Sequence, residues 1–189
     1  MRKEYVQYIK KKLKKNIPDE FPCFKFANKK KDLGLDYNFV CDDKNFKMIS
    51  IQNSHDENSF TVELFWSKSS QRFHGDLTYI SLENGNDILN LICKQSTNSL
   101  RIRLSIFYSH EFDSWWAIDP TDNIITSIKT HGYITSDAYF KFYSEDTFLS
   151  DDTQLKQDEY KRYIDPLIYN VLELLKKYAM PLFECLDSK

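Results

Sequence analysis

Three short, strand-like segments follow one another at residues 35–41, 46–52 and 59–66, each bounded by turn-forming residues. Asp42-Asp43-Lys44-Asn45 and Ser54-His55-Asp56-Glu57-Asn58 suit hairpin loops, so the simplest assembly is an antiparallel meander. In the third segment Phe60, Val62, Leu64 and Trp66 alternate with Thr61 and Glu63. Side chains point to opposite faces of a strand in turn, so this pattern predicts one face inside and one mostly in water.

Helical patterns flank the meander. Over residues 2–15, Tyr5, Tyr8, Ile9 and Leu13 recur at three and four residues, and Lys10, Lys11, Lys12, Lys14 and Lys15 fill most other places. This spacing predicts a basic amphipathic helix over 1–16, ended by Pro18 and Pro22 and anchored by Phe21, Phe24 and Phe26. Asp87 is placed to cap a short helix carrying Ile88, Leu89, Leu91 and Ile92. Residues 165–180 carry a broad apolar stripe, Leu167, Ile168, Val171, Leu172, Leu174, Leu175 and Tyr178, behind a cap and first-turn proline at Asp165-Pro166. Pro181 is expected to close that helix. Further strands are expected at 77–82, 100–108, 115–119 and 124–130, with 133–143 aromatic and extended, or helical over 136–143. In 100–108, Arg101 and Arg103 point the same way. The expected fold is a single α+β domain over 1–189, a mainly antiparallel sheet of about five to seven strands with N- and C-terminal helices packed on one face.

Chemistry-bearing motifs are scarce. The four glycines lie far apart, which excludes a glycine-rich phosphate cradle, and no Gly-x-Ser-x-Gly, His-Glu-x-x-His or His-x-Glu pattern occurs. Cys23, Cys41, Cys93 and Cys185 form no Cys-x-x-Cys pair, and the four histidines are scattered, so no metal, zinc included, and no cofactor is expected. In a chain this long, reduced thiols are the expected state. No apolar run approaches the roughly 20 residues that span a bilayer, and the start lacks a secretion-signal pattern, so a cytoplasmic protein without membrane association is expected. A nuclease-like metal site built on Glu63 lacks its lysine partner, because Phe65 stands at that place. Glu63 is therefore expected on the wet side of its strand, and His110-Glu111-Phe112-Asp113 in a solvated loop.

Charge is divided unevenly along the chain. Residues 1–31 hold eleven Lys/Arg against three Asp/Glu, and 32–189 hold fifteen against twenty-five. The acidic body disfavours nucleic acid as a partner despite the lysine-rich start. Residues 111–165 contain twelve Asp/Glu and five Lys/Arg. An acidic, aromatic surface suits a basic protein partner, and the expected partner-binding residues are Glu111, Asp113, Trp115, Trp116, Asp119, Asp122, Tyr139, Tyr143, Glu145 and Asp146.

Three local patterns add a resemblance: Ile49-Ser50-Ile51-Gln52-Asn53-Ser54 with Ser59-Phe60-Thr61-Val62-Glu63-Leu64, then Leu100-Arg101-Ile102-Arg103-Leu104 leading to Asp113-Ser114-Trp115-Trp116, then Tyr178-Ala179-Met180-Pro181-Leu182-Phe183. Together they resemble an uncharacterised bacterial domain-of-unknown-function family, the one numbered 4304. Asn53 stands where that family would carry a basic residue, and Cys23-Phe24 replaces its glycine-aromatic start. The resemblance implies no activity but draws attention to Arg101, Arg103, Asp113, Trp115 and Trp116, with the arginines pairing an acid and at most one tryptophan facing each side.

The functional expectation is a non-enzymatic binding protein, most concretely a cytoplasmic immunity or antitoxin-like protein that occludes a basic toxin. A metal-dependent nuclease with a dispersed carboxylate site is the first alternative. A subunit of an antiviral defence complex is the second, with the N-terminal helix docking on an acidic component and residues 1–16 removable without unfolding the body.

Overall fold

In the computed structural model, the described residues are 1–27, 37–54, 58–69, 87–109, 115–118 and 155–189. Helix α1 (Lys3–Glu20) leads into β1 (Lys25–Ala27), and β2 (Tyr37–Asp42), β3 (Phe46–Asn53) and β4 (Ser59–Ser67) form the expected meander. After α2 (Ile88–Gln95) come β5 (Ser99–Arg103), a helical turn α3 (Ile106–Ser109) and β6 (Trp116–Ala117). The chain ends in α4 (Tyr160–Tyr163), α5 (Asp165–Leu174), a π-helical turn (Leu175–Ala179) and α6 (Met180–Asp187). The fold is α+β. Among the described residues all strand pairs are antiparallel, in the order β1-β2-β3-β4-β5, and β6 pairs with the start of β4. Strands β5 and β6 thus share one edge of β4, meeting it at Glu63–Ser67 and at Ser59–Phe60. The expected strands at 77–82 and 124–130 and the extended stretch 133–143 lie outside the described residues.

The main core lies between the helices and one face of the sheet. Tyr5, Ile9, Leu13 and Ile17, spaced by four, are the buried stripe of α1. They belong to the same core as Phe39, Ile49, Ile51, Val62, Leu64, Trp66 and Ile102 from the sheet and Leu167, Val171, Leu182 and Leu186 from the C-terminal helices. Residues 1–16 are therefore part of the core, and their deletion would expose it. This corrects the expectation that they are dispensable. Helix α1 also runs past Pro18 to Glu20. A proline in the last turn removes one backbone donor, while continuing the helix buries Ile17 and lets the Phe21 N–H bond to the Ile17 carbonyl at 2.8 Å.

Pro181 does not close the C-terminal helix either. The turn before it widens so that the Met180 N–H bonds to the Leu175 carbonyl, five residues back, and Pro181 falls in the first turn of α6. That position has no N–H bond to lose, so helical geometry continues to Asp187. Asp165 does not cap α5. Its carboxylate accepts hydrogen bonds from Tyr8 Oη at 2.8 Å and Lys12 Nζ at 2.9 Å, joining the two helices. Asp87 does cap α2, accepting from the Leu89 N–H at 3.1 Å.

Residues 100–108 are not one strand. Strand β5 ends at Arg103, the Leu104 N–H bonds to the Val62 carbonyl at 2.8 Å, and the chain turns into α3. Leu104 and Ile106 are buried from the turn as they would be from a strand, which is why alternation alone overran the boundary.

The cysteines are also corrected. Cys93 at the end of α2 and Cys185 in α6 form a disulfide with Cα atoms 6.3 Å apart. The bridge spans 92 residues, and closing so long a loop restricts the unfolded chain. Reduction, or Cys185→Ser, is expected to lower stability by about 2–4 kcal/mol, measured as the urea midpoint with and without reductant.

Candidate functional site

Strand β4 is buried along its whole length, on both faces. The face turned away from the helices carries cross-strand rows set by the register. One row is Val40, Met48, Phe65 and Arg101; the next is Asn38, Ser50, Glu63 and Arg103; a third pairs Gln52 with Thr61. Phe46, Met48 and Phe65 form a second, smaller apolar cluster there, with Val40 against it. The expectation of a wet face is corrected: Glu63 is 1% exposed, and Asn38, Ser50, Ser59 and Thr61 are buried beside it.

A buried carboxylate is costly unless it is paired and hydrogen-bonded. The Arg101 Nε–H donates to Glu63 Oε2 at 3.0 Å. Arg103 Nε lies 3.8 Å from Oε1, close enough for attraction but beyond hydrogen-bonding reach. Both arginines stand on β5 and face the same side, as their spacing of two predicts. They pair with Glu63 from the neighbouring strand, while Asp113 lies outside the described residues. Each guanidinium also covers an aromatic ring, Arg101 at 5.3 Å from the Phe65 centroid and Arg103 at 5.1 Å from Trp115. The result is a carboxylate between two guanidinium groups with a ring at each end: Phe65, Arg101, Glu63, Arg103, Trp115.

The adjacent tryptophans part as expected. Trp116 is buried on the helix side, stacked on Phe60 with centroids 5.8 Å apart, and its Nε1–H donates to Asn170 Oδ1 at 2.8 Å. It belongs to the core, which removes it from the expected partner-binding set. Trp115 is half-buried. The other expected binding residues, Glu111, Asp113, Asp119, Asp122, Tyr139, Tyr143, Glu145 and Asp146, lie outside the described residues.

A second polar cluster, not anticipated from the sequence, lies around Asp187 at the end of α6. Its Oδ1 accepts from Asn45 Nδ2 and Trp66 Nε1, each at 2.9 Å, and its Oδ2 from Lys47 Nζ at 2.6 Å. Lys44 Nζ reaches the Asp187 carbonyl oxygen. Lys47, opposite Trp66 in the β3–β4 register, also pairs with Asp43. Burial pushes the Asp187 carboxyl up, but the hydrogen bonds from Lys47, Asn45 and Trp66 outweigh it, so its pKa is lowered. The one hint in the sequence was a lysine at an inward-facing position of β3. A lysine buried there needs an acid, and only the fold could name it.

Among the described residues, no three His, Cys, Asp or Glu side chains gather as a metal ion would require, and no helix is long and apolar enough to cross a membrane. No family model, curated protein or solved structure matches the chain.

Two outcomes are expected. Glu63→Ala leaves two part-buried guanidinium groups without their shared carboxylate and should cost about 3 kcal/mol by denaturant unfolding, whereas an exposed glutamate would cost under about 0.5 kcal/mol. Asp187, with its pKa lowered on folding, contributes stability that is present above about pH 4 and lost as pH falls through its folded value. Asp187→Asn should therefore be less stable at neutral pH and flatten the decline in urea midpoint on acidification.

Proposed function

We propose that the chain is a non-enzymatic protein-binding module, most concretely an immunity or antitoxin-like protein that neutralises a basic toxin by covering its active site. The observation that carries this reading is Trp115, half-buried beside a strand edge and held face-on by Arg103. A tryptophan fixed in this way loses little freedom on contact, which suits an interface anchor. It sits within the stretch 111–165, where twelve acidic residues face five basic ones in number, and that excess favours rapid encounter with a basic partner. Kinship with the domain-of-unknown-function family remains part of the proposal and adds no activity to it.

Glu63 supports the same reading from the other side. A metal-dependent nuclease built on that carboxylate would have to take it from Arg101 and Arg103, in a position that is 1% exposed. The defence-complex reading draws on another observation: α1 leaves Lys3, Lys11, Lys14 and Lys15 exposed while its apolar stripe is in the core. Under that reading the lysines themselves would meet an acidic component, and their replacement, not deletion of the helix, is the appropriate test.

The proposed compartment is the cytoplasm. A bridge between Cys93 and Cys185 would there stand against a reducing thiol pool. Recovering it intact from cells lysed under alkylating conditions would argue for an oxidising compartment.

The test is affinity for a partner captured on the tagged protein. Trp115→Ala should weaken binding by about tenfold to thirtyfold, and joint reversal of Asp119, Asp122, Glu145 and Asp146 to lysine should remove its salt dependence, with both variants still folded under the binding conditions. Undiminished affinity in both variants would contradict the reading.

A further inference from the structure

Among the described elements, α2 joins the rest of the fold chiefly through α6. Of its eight residues Ile92 and Cys93 are buried, while Ile88, Leu89 and Leu91 rest half-buried against the core. A helix this short is not stable in isolation, so its place depends on what holds it. Residues 185–189 make the join. Cys185 forms the disulfide to Cys93, and the Lys189 ammonium donates to the Cys93 carbonyl and, at 3.1 Å, to the Ser96 carbonyl. A cation there suits the negative end of a helix, but Lys189 is exposed and its bonds compete with water. Between these two residues, Asp187 holds Asn45, Lys47 and Trp66. One short stretch thus clasps α2 on one side and the sheet on the other. Of the two grips, only the one on α2 contains a bond that thiols can cut.

We propose that the Cys93–Cys185 bridge is a thiol-responsive latch: a dithiol reductant opens it in the folded protein and frees α2, while the sheet and the α1–α5 layer stay closed. Cys93 is 2% exposed and Cys185 only half-buried, so the reductant enters at Cys185. One thiolate of the reductant attacks Cys185 Sγ, the bond to Cys93 Sγ breaks, and Cys93 leaves as a thiolate that takes a proton from solvent. The second thiol of the reductant gives its proton to solvent and attacks the reductant sulfur now bound to Cys185. That mixed disulfide breaks, and Cys185 leaves as a thiolate and is protonated in turn. In sum, one protein disulfide gains two electrons and two protons, and one dithiol becomes a cyclic disulfide. Asp187 keeps α6 on the sheet throughout, because Asn45, Lys47 and Trp66 all lie off α2. The opened form presents Ile92 and the half-buried apolar residues of α2 to solvent.

The experiment compares native-state hydrogen exchange of the full chain before and after dithiothreitol, with loss of the linked Cys93–Cys185 peptide pair marking reduction. Amides of 89–96 should lose at least about tenfold more protection than those of 47–52 and 60–66, and should regain it on reoxidation. A bridge that acted only by restricting the unfolded chain would, once cut, speed exchange in all three segments by the same factor. Lys189→Ala should change little while the bridge is intact and should speed exchange of 89–96 further once it is reduced. Should that variant fail to fold, the wild-type comparison carries the test by itself. Equal loss of protection in α2, β3 and β4, an α2 as protected after reduction as before, or a bridge that resists dithiothreitol until denaturant is added would each overturn the proposal.

Discussion

Because β4 is buried on both faces, its charged and ring N–H groups need partners inside the fold, and much of the structure is arranged around that requirement: Glu63 meets Arg101 and Arg103 on β5, and the Trp66 Nε1–H meets Asp187 on α6. Towards the helices it offers Phe60, Val62, Leu64 and Trp66 to the main core. On the other face it offers Thr61, Glu63 and Phe65, and the register sets a residue of matching character beside the last two: Ser50 and Arg103 flank Glu63, while Met48 and Arg101 flank Phe65. Buried ion pairs add little net stability over well-packed apolar groups, but a broken one is strongly unfavourable. Glu63 with its two arginines therefore acts against wrong registers: a slip of β5 by one residue would turn both arginines to the helix side and leave the carboxylate alone.

The helical layer is positioned in a similar way. Its apolar stripes would tolerate some sliding over the sheet, yet buried or half-buried polar contacts fix its place. Asp165 joins α5 to Tyr8 and Lys12 of α1, Asn170 accepts from Trp116 on β6, and Asp187 gathers Asn45, Lys47 and Trp66 from the β3–β4 region. The disulfide adds a covalent link from α6 to α2. These ties fall at successive places along the C-terminal helices, so that layer has one favourable seating. Residue by residue, the same contacts explain why Trp116 is buried in the core, while Trp115 is half-buried with Arg103 over its ring.

The order of strands in the meander, the cap at Asp87, the shared direction of Arg101 and Arg103 and the two flanking helices were legible in the sequence, because each depends on local spacing. What sequence reading missed depended on distant chain. Thr61 and Glu63 look like a wet face, and the contrary signals were Phe65 in β4 with Phe46 and Met48 in β3, large apolar residues on the supposedly polar side. The prolines misled because Pro18 and Pro181 break helices only where a lost donor or a clash goes uncompensated; a last turn and a π-helical turn absorbed them. Cysteine pairing was beyond reach, since the spacing of Cys93 and Cys185 carries no trace of α2 packing on α6. Of the expected binding set, Trp115 and Trp116 could be sorted by burial, and the remaining members lie in 111–154 outside the described residues.

The central claim is that Glu63 is a sealed structural ion and not an accessible carboxylate. Carbodiimide labelling of carboxyl groups in the native protein, read by peptide mass spectrometry, tests it most directly. Exposed acids such as Asp19 and Glu20 serve as internal standards. The account predicts that they label rapidly while Glu63 labels only after unfolding; labelling of Glu63 in the folded protein at the rate of Asp19 and Glu20 would contradict it.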